Sequence, residues 1–189
     1  APSLERPDPP FFRDADAIEA EVMAAVLGGP GRVVDLRPLR EGPSADAEAA
    51  CLEALASGAD VVIARLLPKE EVSHRRGRQS LLVRSRGEGG GYHPVQVKLH
   101  RVLEADPDGE PLDVASLTTP RRPVMVTGRR FRWGSRLNAA LQMAHYWRLL
   151  EACGYAARIP WAGLVGIDKI ALDPEHPGQV EQVITWLNL

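Results

Sequence analysis

Residues 77–100, Gly77 to His100, read GRQSLLVRSRGEGGGYHPVQVKLH. Leu81, Leu82 and Val83 form a short apolar run behind a basic lead-in, His74-Arg75-Arg76-Gly77-Arg78. Glu88 to Gly91 is turn chemistry, because three successive glycines take positive φ at no steric cost. Past the turn the pattern becomes alternating. Val95, Val97 and Leu99 share one face of a strand, and Gln96, Lys98 and His100 share the other. If the two strands pair as a hairpin, Ser80 comes alongside Gln96 and Lys98. That polar trio is the first place to look for chemistry.

Outward from this unit, helices alternate with strands. Asp14 or Asp16 caps a first helix with an apolar stripe of Ile18, Val22, Ala25 and Val26, and Gly28-Gly29-Pro30-Gly31 stops it. Arg32 to Leu36 reads as a strand. Ser44 caps a second helix carrying Ala47, Ala50, Cys51, Ala54 and Leu55, and Val61 to Leu67 follows as an apolar strand. A strand tail runs on from Lys98 through Val102. Asp106 to Gly109 is a turn, and Val124 to Val126 is either a short strand or a buried loop. Ser135 or Asn138 opens a third helix that reaches Cys153, with Gly154 as its stop. Two late strands lie at Leu164 to Asp168 and Val183 to Leu189. The expectation is an α/β fold, a mixed central sheet flanked by helices, in one domain over residues 11–189 behind a loose proline-rich arm over residues 1–10.

Bulk properties exclude several function classes. The formal charge of −2 sets up no global field for nucleic acid, so polyanion binding needs a local basic patch. Cys51 and Cys153 sit far apart in apolar helical contexts and read as buried free thiols of a reducing cytoplasm. No stretch resembles a signal peptide, and no apolar run approaches the ~20 residues that span a bilayer. A cytoplasmic protein with no membrane partner is expected. The chain closes inside an apolar strand, which implies either a longer polypeptide or a docked last strand.

Gln142 and Tyr146, four apart in LQMAHYWRLL, share a helix face that continues through Leu149 and Cys153. Together with the face carrying Lys98, this pair resembles the RecB-like branch of the PD-(D/E)XK nuclease superfamily. CLEALASGADVVIARLL, GRQSLLVR, GYHPVQVKLH, LQMAHYWRLLEACGY and GLVGID, in that order, are similar to the RecB-like nucleases common in actinobacteria. The likeness runs from Phe11 to the end. It implies a restriction-endonuclease-like fold and an N-terminal module of a longer chain.

The departures from that pattern bear on activity. Where the family has Gly-x-Pro-Asp, this chain has Gly77-Arg78-Gln79-Ser80; where the family has Glu-x-Lys, it has Gln96-Val97-Lys98. Glu21 or Glu19 aligns with the family's first-helix glutamate, but no histidine precedes either. Such nucleases use Mg²⁺ or Mn²⁺ to polarise the phosphate and activate water. Mg²⁺ takes anionic oxygens, and Ser80 and Gln96 offer neutral ones. The resemblance therefore implies an inactive domain in which Lys98, Gln142 and Tyr146, with Ser80 and Gln96, are vestiges of a catalytic site, and no cofactor. An active Mg²⁺- or Mn²⁺-dependent DNA nuclease with displaced carboxylates stays open, with Glu21, Glu88, Asp60 and Asp168 as candidate ligands.

Each residue also has a plainer reading. Lys98 either contacts a phosphate or is a strand lysine hydrogen-bonded to Gln96 or Gln142. Gln142 and Tyr146 either touch a nucleic-acid backbone or plug the former active-site floor by hydrogen bonding. Arg76 and Arg78, and Arg129, Arg130 and Arg132 around Phe131 and Trp133, combine cations with aromatics as single-strand binders do. They equally suit solvated faces and internal ion pairs. DNA, another domain of the same longer chain, or a separate protein are the partners these features allow, the last two through a structural role in a larger DNA-processing polypeptide.

Overall fold

A computed structural model describes residues 10–41, 44–63, 66–70, 75–87, 89–173, 175–176 and 178–189. The chain runs α1 (Pro10–Leu27), β1 (Val33–Asp35), a 3-10 turn (Arg37–Glu41), α2 (Ser44–Ala56), β2 (Val61–Ile63), β3 (Leu67–Glu70), β4 (Arg75–Gly77), β5 (Leu81–Arg84) and β6 (Tyr92–Val97). It continues through β7 (Leu103–Ala105), β8 (Leu112–Ser116), β9 (Val124–Val126), β10 (Arg129–Phe131), α3 (Trp133–Ala152), β11 (Trp161–Ala171) and β12 (Val180–Asn188).

An eight-stranded mixed sheet in the order β1-β2-β5-β6-β11-β12-β8-β9 forms the centre. β1 and β2 pair in parallel, as do β6 and β11; the other neighbours are antiparallel. Two small hairpin-like pairs, β3 with β4 and β7 with β10, stand apart from it.

Period-two side-chain direction sorts the sheet into two cores. Val61, Ile63, Leu81, Val83, Val95 and Val97 pack with Val22, Met23 and Val26 of α1. The alternate residues Val62, Leu82 and Tyr92 pack with Cys51 and Leu55 of α2 and with Met143, Tyr146, Leu149 and Leu150 of α3. Both faces are thus covered by helices, which is why central strands such as Val61–Ile63 are apolar at every position. The expected mixed sheet with flanking helices is what the chain forms. Among the described residues no helix is long and apolar enough to cross a membrane.

Several boundaries differ from the sequence reading. Pro10 belongs to α1 rather than to the arm, so Asp14 and Asp16 lie inside the helix and not at its start. A proline suits a first helical turn because that turn's N–H groups have no partner within the helix. α3 starts at Trp133, ahead of Ser135 and Asn138, after Arg132 in extended conformation with no side-chain cap. Strand pairing explains this: β10 is tied to β7, and the Arg132 amide donates to the Val102 carbonyl at 2.9 Å, feeding the chain straight into the helix.

The apolar run from Val61 to Leu67 is not one strand. Leu67 leaves the central sheet and pairs with Gly77. The tail beyond Val97 is likewise not strand, because the Val102 amide is taken by the Asp168 carboxylate at 2.7 Å. Val124 to Val126 is a strand on the sheet edge, with Met125 exposed, and not a buried loop.

Candidate functional site

The glycine turn fixes the register of the central hairpin. Gly89, Gly90 and Gly91 all have φ between 65° and 88°, and a side chain at Gly91 would strike the Ala156 carbonyl. With that turn in place, Leu81 pairs with Val95 and Arg84 with Tyr92. One step further along the same register sets Ser80 beside Gln96, as the alternation reading requires. The Ser80 hydroxyl accepts from the Val97 amide at 3.1 Å and from Gln96 Nε2 at 3.2 Å.

Lys98 is delivered by the parallel neighbour β11, its amide donating to the Val165 carbonyl at 2.7 Å. Its Nζ donates to Gln142 Oε1 at 2.7 Å, and Gln142 Nε2 donates to the Tyr146 hydroxyl at 2.8 Å. Strand and helix are thereby joined through three side chains. Lys98 is half-buried, and loss of solvation holds its ammonium below the ordinary lysine range. The partner it has found is an amide oxygen, not a carboxylate.

Beside this chain lies a shallow cavity of about 230 Å³, lined by Glu19, Arg78, Gln79, Ser80 and Gln96, among others. Glu19 projects from α1, whose apolar stripe Val22, Met23 and Val26 fixes the helix against the sheet. Gln79 is buried at 2 % exposure, and neither its amide oxygen nor its nitrogen has a hydrogen-bond partner among the described residues. Sequence pattern gave no sign of this, because Gln79 precedes the strand on a segment without periodicity.

The remaining candidates are not brought here. Glu21 lies 3.8 Å from Lys169 in an exposed ion pair. Asp168 uses one oxygen to accept the Val102 and Leu103 amides at 2.7 and 3.2 Å, a role fixing the loop after β6. Asp60 pairs with Arg121 and accepts the Arg32 amide at 3.0 Å. Glu88 lies outside the described residues.

A hard divalent cation needs several anionic oxygens. Here the cavity offers one carboxylate, one hydroxyl and two carboxamides, and among the described residues no three His, Cys, Asp or Glu side chains cluster to hold a metal. These residues do not fit a Mg²⁺ or Mn²⁺ ion.

The basic candidates separate into two groups. Arg78 is exposed and borders the Ser80–Gln96 cavity. Arg130 pairs with Glu104 at 2.7 Å and lies 3.6 Å from Asp106; Arg132 lies 4.0 Å from Glu104. The internal ion-pair reading therefore holds for Arg130 and Arg132. Arg129 is exposed beside Arg101 and Lys169. The side chain of Arg76 lies outside the described residues. Both cysteines are free, and burial pushes the Cys51 thiol up to about 12, so it stays protonated and inert.

Comparison with known proteins finds no matching family model, no matching curated protein and no matching solved structure.

Proposed function

We propose that the chain is a degenerate RecB-like PD-(D/E)XK nuclease-fold domain, restriction-endonuclease-like in architecture, that no longer hydrolyses phosphodiesters and keeps a weak contact with DNA. One observation carries this reading: Lys98 donates to Gln142, which in turn donates to Tyr146, next to Ser80 and Gln96. That is the constellation the resemblance implies, with an alcohol and an amide at the two positions where it implies acids.

The chemistry of such a site is limited. A positioned cation stabilises charge developing on a phosphate, and removing one such electrostatic contributor costs on the order of 10²–10³ in rate. Losing the metal ligands removes the activated water as well. What remains is a half-buried ammonium, with exposed Arg78 nearby, able to meet a phosphate oxygen but not to drive attack on it.

The test is a pair of assays on labelled single- and double-stranded DNA. With Mg²⁺ or Mn²⁺ present, no cleavage is expected, together with binding that weakens steeply as salt rises. Arg78→Ala is expected to weaken that binding. Divalent-dependent cleavage abolished by Lys98→Ala would overturn the inactive reading. Absence of any DNA binding, with a partner surface found in solution instead, would replace it with an interaction module.

A further inference from the structure

A larger concavity lies elsewhere. β6 carries Lys98 just past its C-terminal end, whereas His93 near its start faces the α1 side of the sheet, where a cavity of about 670 Å³ opens. The single helix on that side covers Val61, Leu81 and Val95 and leaves this end of the sheet to the cavity. Three rings form its floor. His93 and Trp161 lie with centroids 6.4 Å apart, and His93 meets the edge of Trp186 at 5.7 Å. Trp161 is only half-buried, so part of its ring is open to an occupant.

The rim is cationic, and its arginines are of two kinds. Arg84 is used internally, donating to the Gly58 carbonyl at 3.0 Å, and Arg121 is held by Asp60 and by the Arg84 carbonyl. Arg86 and Arg122 are exposed, and among the described residues their side chains make no hydrogen bond or ion pair. Two solvated guanidinium groups thus stand at the mouth of an aromatic-floored cavity, with no carboxylate partner among the described residues.

We propose that this cavity binds a nucleoside phosphate, the base lying against Trp161 and His93 and the phosphate between Arg86 and Arg122. Size agrees, since small-molecule pockets run to roughly 300–1,000 Å³. So does chemistry. An aromatic base stacks on an indole, and a phosphate monoester, carrying nearly two charges, matches two guanidinium forks better than a carboxylate does. A second cavity of about 410 Å³ shares Arg86, Pro120, Arg121 and Arg122 with the first, so the groove continues past the phosphate position. The source of the nucleoside phosphate is therefore either a free nucleotide or the 5′-phosphorylated end of a strand. The proposal does not depend on the nuclease kinship, because none of its residues belongs to the Ser80–Gln96–Lys98 group.

Tryptophan fluorescence of the whole chain, titrated with adenosine 5′-monophosphate, adenosine, inorganic phosphate, benzoate and a 5′-phosphorylated tetranucleotide, tests it. Saturable quenching by the monophosphate is expected, with adenosine and phosphate each about tenfold weaker or worse, the size of one lost charge-assisted contact. Arg86→Ala with Arg122→Ala, both at exposed and unbonded side chains, should weaken the monophosphate about tenfold and leave adenosine unchanged. Lys98→Ala should bind the monophosphate as the parent does, which separates this site from the DNA contact proposed above. Tighter binding of the phosphorylated tetranucleotide than of the monophosphate identifies a strand end; the reverse identifies a free nucleotide. No saturation by either at about millimolar concentration, benzoate binding as tightly as the monophosphate, or indifference to the double arginine substitution would each overturn the proposal.

Discussion

Lys98 and Gln142, 44 positions apart in sequence, meet at 2.7 Å, and this bond ties the end of β6 to α3. The glutamine amide accepts from the ammonium and donates to Tyr146, so its removal leaves two polar groups short of a partner. Gln142→Leu is expected to cost about 1–3 kcal/mol, the penalty for stranding partly buried polar groups. Lys98→Met in the same background should return part of that loss. A double-mutant cycle in urea checks it, with a coupling energy of about 0.5 kcal/mol or more expected. Strict additivity would mean the bond contributes nothing.

Acids placed at positions 80 and 96 should confer metal affinity. Ser80→Asp with Gln96→Glu would place two carboxylates beside Glu19 in a cavity that now holds one. Manganese is then expected to raise the melting temperature of the double variant and not of the parent. Ligand linkage sets the scale at about 2.7 kcal/mol when the ion is at 100 times its Kd. An unchanged melting temperature would show that these two positions do not converge as a metal site does.

How much of this was legible beforehand depends on where the forces lie. The β5–β6 hairpin was readable because three glycines and a strict alternation are local signals, and they put Ser80, Gln96 and Lys98 together. The Gln142–Tyr146 pair was readable from helical spacing alone. β7, β8 and the β3–β4 pair were not read. They are short and carry Pro68, Asp113 and Glu104; β7 and β8 exist through pairing with the distant β10 and β12, and β3 and β4 pair with each other outside the central sheet. The fate of charges was also hidden. Nothing local shows that Arg130 answers Glu104 or that Asp168 is spent on the Val102 amide, since both are set by tertiary packing.

His93 carries a pH prediction. Burial against two tryptophans pushes its imidazole below the ordinary 6.5, outweighing the bond it makes with the Trp161 carbonyl. The unfolded chain therefore takes up a proton near 6.5 while the folded chain resists until a lower pH. Through that window the unfolded state holds more protons, so stability falls as pH falls and levels off below the folded value. Thermal melts from neutral to about pH 5 should show this slope, and His93→Phe should flatten it. An equal slope in both proteins would assign the acid sensitivity to other groups.

Gln79 should be improvable. Its amide is buried, with both polar atoms unpartnered among the described residues. Gln79→Met keeps the length of the side chain and removes the groups that lost water on folding. A gain of about 1–3 kcal/mol is expected in urea denaturation, the reverse of the penalty for an unsatisfied buried amide. A loss would show that the amide has a partner in solution.

Gly163 leaves its neighbours room. A methyl group there would come within 2.6 Å of the Ile184 side chain and 2.8 Å of Val95, so residues of β12 and β6 meet over a bare stretch of β11. His93 and Lys98 lie at opposite ends of β6, on either side of that packed middle. Rewriting the residues at one end should leave the geometry at the other as it was, so the two ends can change their chemistry independently.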